Sequence, residues 1–273
     1  FNIDSKDLTN RIANKMIRPT TIPQTLKGLI FEQAIAREAL RLSFLQHKEF
    51  AVELKGIQKE RTISDAFDQS ESGKSLVDMN QLDLIVGSGG VLSHAPRRNQ
   101  AARMLIDAFL PEGITEIAVD SIFMMPQLGV LAHVDKESFS EDARKAALEV
   151  FHKDCLIRLG TCIAPIGKSK PGEIVLTATL TLKDGSTEDH VLKNGQILRL
   201  DFPYEAINTV LKPSKNMDIG AGNGQELTTD IFGGTVGLIF DGRDRPITIP
   251  EDQDKRIESL SSWSKALNEY PDN

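Results

Sequence analysis

The sequence predicts a mixed α/β fold in two parts, residues 1–152 and residues 153–273. Good helix formers with apolar residues at helical spacing fill much of the first part. The second part alternates β-branched and polar residues, and its dipeptides Asp184-Gly185 and Asn194-Gly195 are typical of tight hairpin turns. No internal repeat is evident. We therefore expect an α/β domain followed by a β-rich domain that ends in a helix.

The first part is predicted to contain helices joined by short strands. The predicted helices are Ile30–His47, Arg98–Phe109, Met125–Ala132 and Ser140–Phe151, and the predicted strands are Leu84–Val86 and Glu116–Val119. Ser140 and Ser93 are expected N-caps, and Pro96 is expected in the first turn of the helix that follows it. The apolar segment from Met125 onward is expected to be buried.

The second part is predicted to begin with a β meander over residues 172–203. Two more strands are expected at Glu226–Phe232 and Thr235–Phe240, followed by a helix at Glu251–Leu267. Between the first predicted helix and the first clear strand, residues 50–75 mix a possible strand with the polar stretch DQSESGKS. Its composition is typical of an exposed connection.

Composition and charge exclude several classes of protein. The chain has 273 residues, of which 40% are apolar and 26% charged, so it can bury a sizeable core. No apolar run approaches the roughly 18 residues of a membrane span, and the N-terminal residues lack the pattern of a signal peptide. The net charge of −7 argues against a surface for nucleic acid or anionic membranes. We therefore expect a cytoplasmic protein that binds neither nucleic acid nor membrane.

Three glycine-containing segments have some features of a phosphate-binding loop. Gly73-Lys74-Ser75 and Gly167-Lys168-Ser169 end like a P-loop, but Asp68 and Cys162 stand where its first glycine would have to be. The run DIGAGNG, residues 218–224, loosely matches GxGxxG but has no long apolar strand before it and no helix after it. We expect this run to be a glycine-rich connection between strands.

The glycine turn after Leu84–Val86 is better placed to contact a ligand. In DLIVGSGGVLSHAP, residues 83–96, the glycines follow an apolar strand and precede a helix. Glycines let a ligand approach the backbone, and a helix N-terminus offers free N–H groups and a positive dipole. The alternative is that these glycines only allow the helix to pack against the strand. The pattern alone leaves both interpretations open.

Other polar residues favour structural roles. The histidines and the two cysteines follow no familiar zinc spacing, and the cysteines are expected to stay reduced. Ser93-His94 at a predicted helix start is more typical of capping than of nucleophilic chemistry. Asp120 and Asp241 end strands, where hydrogen bonds that stabilise a turn are the commoner role, although either could hold a substrate.

Three motifs follow one another along the chain: VGSGGVLSHAP from Val86, AVDSIFMMPQLGVLAHVD from Ala118, and GGTVGLIFDGRDRPITIPED from Gly233. In this order they resemble the GlmL/MutL family of accessory proteins, which accompany adenosylcobalamin-dependent glutamate mutase and related aminomutases. PTTIPQT and EQAIAREALRLSFLQH, which precede these motifs, are also similar to that family. The resemblance covers most of the chain.

The resemblance implies the second lobe of an actin/Hsp70-like ATPase, followed by a β-rich C-terminal domain. In that superfamily a strand-Gly-Gly-helix element packs on the adenosine of ATP, and LIVGSGG matches this element. The residues implied to contact ATP or ADP are Gly87, Ser88, Gly89, Gly90, Arg37, Glu38 and Arg41. The three charged residues would form the opposite wall of the adenosine pocket, although they could equally be an ordinary solvated helix face.

The function implied by the resemblance is that of a chaperone-like ATPase. Such a protein reactivates an adenosylcobalamin-dependent mutase or aminomutase by promoting the exchange of damaged cobalamin. The first lobe, with the phosphate loop and the acidic residues that hold Mg²⁺, should precede residue 1 or lie in a separate chain, so we expect no hydrolysis by this chain alone. Two alternatives remain: a non-catalytic interaction module of a mutase complex, and a small-molecule kinase of the actin-like superfamily.

Overall fold

The computed structural model describes residues 3–51, 76–134 and 140–271, and it is mixed α/β as predicted. Its helices are α1 (Ser5–Ile17), α2 (Leu26–Phe50), α3 (Gly90–Ser93), α4 (Arg98–Phe109), α5 (Met125–His133), α6 (Glu141–Val150) and α7 (Gln253–Ala266). Its strands are β1 (Leu84–Gly87), β2 (Gly113–Asp120), β3 (Leu156–Ala164), β4 (Ile166–Gly167), β5 (Ile174–Thr181), β6 (Thr187–Lys193), β7 (Ile197–Leu200), β8 (Ala206–Pro213), β9 (Met217–Asp218), β10 (Leu227–Phe232) and β11 (Gly237–Asp241). The polar stretch DQSESGKS and its Gly73-Lys74-Ser75 lie outside the described residues.

Five strands form the larger sheet, in the order β1-β2-β3-β11-β7. The pairs β1–β2 and β3–β11 are parallel, whereas β2–β3 and β11–β7 are antiparallel. The predicted division between residues 152 and 153 stays a prediction. The sheet takes strands from both sides of that division, so the N-terminal and C-terminal parts share one hydrogen-bonded layer.

A second, antiparallel sheet of four strands, in the order β10-β8-β5-β6, shares a core with the larger sheet. Burial alternates along β8, where Ile207, Thr209 and Leu211 point inward and their neighbours are exposed or half-buried. Ile207 and Leu211 join a cluster to which the larger sheet contributes Leu238 and Phe240. Strands β4 and β9 form a short separate ladder.

Another core lies between α4 and the larger sheet. The helix buries most of its length, including Ala101, Ala102, Met104 and Leu105. On its outer side α4 packs against α2, where the rings of Phe44 and Phe109 meet edge to face with centroids 5.0 Å apart. Helix α2 therefore forms the outermost layer over this part of the sheet. No helix in the described part of the chain has an apolar stretch long enough to cross a membrane.

Several predicted elements are confirmed with small shifts of their ends. Helix α6 begins after the predicted cap, and the hydroxyl oxygen of Ser140 accepts a hydrogen bond from the N–H of Ala143 at 3.2 Å. Strands β5 and β6 form the hairpin expected at Asp184-Gly185. Helical periodicity and turn dipeptides depend only on nearby residues, so the elements that they predict are present in the folded chain.

The predicted cap at Ser93 is wrong. Helix α4 begins at Arg98, with Arg97 as its N-cap, and the N–H of Arg97 donates to Oε1 of Gln100 at 3.2 Å. Ser93 instead ends the short helix α3, and its hydroxyl donates to the carbonyl oxygen of Asp120 at 2.5 Å. Pro96 precedes the helix rather than lying in its first turn. The partner of Ser93 is 27 residues away, so no local pattern could reveal it.

Two other expectations are also wrong. Helix α5 is largely exposed: it buries only Leu128, and Val130 is 70% exposed, because the helix packs against α6 along one side. The dipeptide Asn194-Gly195 does not close a hairpin, because β7 pairs with β11 and not with β6. High apolar content and turn residues are local properties, whereas burial and strand pairing depend on distant residues.

Candidate functional site

The glycine turn connects the end of β1 to α3. A Cβ on Gly87 would lie 3.0 Å from side-chain atoms of Leu92 and Leu105, so this glycine lets α3 and α4 pack against the strand. Gly89 has a φ of +102°, which L side chains rarely adopt. Its carbonyl oxygen accepts from the N–H groups of Leu92 and Ser93 at 3.0 and 2.9 Å, which starts α3. Both glycines therefore have a structural role.

Gly90 differs from the other two glycines, because nothing in its surroundings requires a missing side chain. A Cβ added there would meet no atom within 4 Å, and its φ lies outside the left-handed range. The turn opens here onto a cavity of about 290 Å³. The opposite wall of this cavity consists of small and apolar side chains of α2, namely Ala36, Ala39, Leu40 and Ser43. None of the described residues that line the cavity carries a charge.

Ser88 lines this cavity and carries a polar atom without a described partner. Its Oγ is buried and has no hydrogen-bond partner among the residues that the structure describes. Buried polar atoms in folded proteins are nearly always paired with protein or ordered water. Ser88 Oγ is therefore a polar atom of the turn that no described group satisfies.

Asp120 supports the turn from the neighbouring strand. Its carbonyl oxygen holds the Ser93 hydroxyl, and its carboxylate accepts from the N–H groups of Met124 and Met125 at 3.1 and 2.8 Å. The carboxylate is completely buried and caps the beginning of α5. The expectation that Asp120 stabilises a turn is thus confirmed.

Arg37, Glu38 and Arg41 do not face the glycine turn. They line a second cavity, of about 440 Å³, between α2, α4 and the segment that leads from β11 to α7. Because an α-helix turns by about 100° per residue, Arg37 and Arg41 lie on a different side of α2 from Ala36 and Leu40. The two groups of predicted residues therefore do not form one pocket, and the role of these charged residues in nucleotide binding stays a prediction.

An ionic cluster forms the inner wall of the second cavity. The carboxylate of Asp107 accepts hydrogen bonds from Arg37 Nη1 at 3.1 Å, from Arg103 Nε at 2.5 Å and from Arg243 Nη1 at 2.8 Å. Burial alone would raise the pKa of Asp107, but the positive charges of the three arginines lower it to about 2. Sequence reasoning missed this cluster, because Asp107 and Arg243 are 136 residues apart; the only local signal is the density of charge in DGRDRP.

Asp241 anchors the same cluster at the end of β11. Its carboxylate is completely buried and accepts from both Nε and Nη2 of Arg243 at 2.8 and 2.7 Å, and from Nη2 of Arg245 at 2.9 Å. Burial would raise the pKa of Asp241, but the charges of these two arginines hold it well below its usual range. Its expected structural role is confirmed, because the carboxylate holds the loop after β11 in place.

The DIGAGNG run and the two cysteines have structural roles. In DIGAGNG, Oδ1 of Asp218 accepts from the N–H groups of Gly220 and Gly222 at 2.7 and 2.8 Å, as expected for a connection. Cys155 and Cys162 are both free and buried, and burial raises the pKa of the Cys162 thiol to about 12. Within the described ranges, no group of three His, Cys, Asp or Glu residues could hold a metal ion.

Comparison with known proteins identifies the family. The family model described as MutL protein matches residues 2–153, more than half of the 273 residues. The match includes the glycine turn, α2 and the segment from β2 to α6. No curated protein and no solved structure matches the chain. The matched region covers two of the three motifs that resemble GlmL and its relatives, and the chain belongs to the MutL protein family.

Proposed function

We propose that this chain is the adenosine-binding lobe of a chaperone-like ATPase that reactivates an adenosylcobalamin-dependent mutase or aminomutase. Membership of the MutL family supports the association with a mutase. The observation that carries the nucleotide part is the open turn at Gly89-Gly90, which faces small side chains of α2 across a cavity. In this proposal damaged cobalamin leaves the mutase and intact cofactor replaces it.

The chemistry of the cavity suits a base and a ribose better than phosphates. Its lining is uncharged, so it offers no Lys or Arg for a phosphate chain. The exposed backbone at Gly90 and the small side chains of Ala36 and Ala39 leave room for a flat ring, and Ser88 Oγ can hydrogen-bond a ribose hydroxyl or a ring nitrogen. At about 290 Å³, the cavity is at the lower end of ligand pockets, roughly 300–1,000 Å³, as expected for half of a site.

The remaining half of the proposed site would come from the first lobe. That lobe, in the same or another chain, would hold the phosphates and Mg²⁺, which neutralises charge on the transferred phosphoryl group when bound. Closure of the two lobes on ATP would then favour one state of the mutase, provided that the closed and open forms bind that enzyme with different affinity. Residues 153–273 are the proposed contact surface for the mutase.

The test is a reactivation assay. Full-length protein, ATP and fresh adenosylcobalamin are added to an aminomutase that has lost activity during turnover. We expect recovered mutase activity that requires ATP. Recovery without ATP would instead support a non-catalytic interaction module, and phosphorylation of a small molecule without recovery would support a kinase. Either of these two results would contradict the proposal.

A further inference from the structure

The second cavity carries a surplus of positive charge inside an acidic protein. Four arginines and two carboxylates line it, although the chain as a whole has a net charge of −7. The lining residues with charge are Arg37, Arg41, Arg103, Arg243, Glu38 and Asp107. Behind this lining, Arg245 pairs with Asp241, and the buried Glu269 lies next to the Tyr270 hydroxyl. Arginines still outnumber carboxylates, five to four, when these residues are included.

The arginines of this cavity have more donors than the carboxylates can satisfy. One carboxylate, that of Asp107, pairs with three guanidinium groups. Arg103 is only 2% exposed, and its Nη1 is buried without a hydrogen-bond partner in the described part of the chain. A buried charged donor without a partner is costly, because it has lost its hydration and gained nothing in return. An anion in the cavity would supply a further acceptor for these donors and balance the surplus of arginines over carboxylates.

The opposite side of the cavity is apolar. Ile247 and Leu260 contribute to it together with Trp263, whose Nε1 donates to the carbonyl oxygen of Gly195 at 2.7 Å and thereby fixes the ring. The guanidinium groups of Arg243 and Arg103 lie 5.0 and 5.5 Å from the centre of this ring. The cavity thus places fixed positive charge beside an apolar surface.

We propose that this second cavity binds a small organic anion, a carboxylate or a phosphate monoester with a short aliphatic body. Arg37 and Arg103 bind the anionic group, and the side chains around Trp263 contact the body. This site is separate from the glycine turn, because the two cavities lie on different sides of α2. It goes beyond the proposed function and does not depend on it.

Trp263 makes the proposal directly measurable, because it is the only tryptophan in the chain and lines this cavity. The 273-residue chain is titrated with butyl phosphate, with hexanoate and with butanol while the fluorescence of Trp263 is recorded. We expect a saturable change in fluorescence intensity with at least one of the two anions and no change with butanol. The two anions distinguish a phosphate from a carboxylate site. No response to either anion, or an equal response to butanol, would overturn the proposal.

Variants of α2 separate this site from the glycine turn. Arg37→Gln should weaken anion binding by about tenfold, the effect of one lost charge-assisted hydrogen bond. Arg41→Gln, at a more exposed position, is a second variant expected to weaken it. Lys48→Gln removes the same charge from the last turn of α2 outside the cavity, so binding should be unchanged. Unchanged binding in both arginine variants would contradict the proposal.

The glycine turn provides the final control. Gly90→Leu alters the first cavity only, so it should leave anion binding intact. Displacement of the anion by ATP, or its loss in Gly90→Leu, would mean that the two cavities form one nucleotide site, and the proposal of a separate site would be wrong. Failure of ATP binding with intact anion binding would instead contradict only the proposed nucleotide function.

Discussion

Gly90 is the residue at which the nucleotide proposal can be tested most cleanly. Gly89 also lines the cavity, but its positive φ means that any side chain there would strain the backbone. Gly90 has an ordinary φ and open space around it, so a side chain at this position would occupy the cavity without disturbing the fold. The same is not true of Gly87, whose Cβ would press on Leu92 and Leu105.

We therefore predict that Gly90→Leu weakens ATP binding by the full-length protein by about tenfold or more, a loss of roughly 1.4 kcal/mol. The matched control is Gly129→Leu, because Gly129 also has open space for a Cβ and lies in α5, away from both cavities. Calorimetric titration with ATP measures both variants. Equal affinity of Gly90→Leu and the unmodified protein would leave the glycines with a packing role only.

At the level of single residues, the sequence predicts local roles and misses distant ones. The hydrogen bonds of Asp120 to the start of α5 follow from its position at a strand end. The predicted role of Ser93 is wrong, because its partner is the carbonyl oxygen of Asp120 at the end of β2. Arg37 and Arg41 were placed opposite the glycine turn, but helical geometry directs them into the second cavity.

Among the elements, β3 and β11 pair in parallel within the larger sheet through a close approach of two glycines. Gly160 has a φ of +141°, and a Cβ added to it would lie 1.8 Å from the carbonyl oxygen of Gly237 on β11. No side-chain rotation can relieve this collision, because the obstacle is backbone. The strands could accommodate a Cβ only by separating.

Gly160→Ala should consequently lower the free energy of unfolding by about 3 kcal/mol, the upper end of the usual cost of overpacking. Gly172→Ala is the control, because Gly172 also has a positive φ, +80°, but has no atom near its Cβ position. It should cost only about 1 kcal/mol of backbone strain. Urea unfolding followed by tryptophan fluorescence measures both values. Similar losses in the two variants would show that the close approach of β3 and β11 is unimportant.

Prediction of the elements succeeded where the signal is local. Helices α2 and α6 and the β5–β6 hairpin follow from periodicity, caps and turn dipeptides. The pairing of β7 with β11 could not be predicted in this way, because it joins segments that are separated by two strands of the other sheet. Residues 52–75 lie outside the described part of the chain, so the loop expected there stays a prediction.

For the molecule as a whole, the ionic cluster links helix α4 to the end of β11 and, through Trp263, to α7. Its carboxylates have lowered pKa values, that of Asp107 being about 2 in the folded state and about 4 for an unfolded aspartate. A carboxylate whose pKa is lower in the folded state stabilises the fold fully when the pH is above its pKa in the unfolded chain. This stabilisation is lost as the pH falls to its pKa in the folded protein. The contribution of Asp107 to stability should therefore disappear between about pH 4 and pH 2.

We expect the free energy of unfolding to fall steeply over this range, and Asp107→Asn to remove part of that pH dependence. At neutral pH the variant should be less stable by about 3–5 kcal/mol, because removing one partner leaves buried arginines without their counter-charge. Urea unfolding at a series of pH values, followed by Trp263 fluorescence, tests both statements. Identical pH profiles for the variant and the unmodified protein would contradict this account of the cluster.

The central claim is that the turn at residues 87–90 and the facing side of α2 form the adenosine side of a nucleotide site. Photolabelling of the full-length protein with 8-azido-ATP, followed by mapping of the labelled peptides, tests it most directly. The account predicts label within residues 84–93 or 36–43, and its loss when unlabelled ATP is present in excess. ATP-protected label elsewhere in the chain, with none in these two segments, would contradict it.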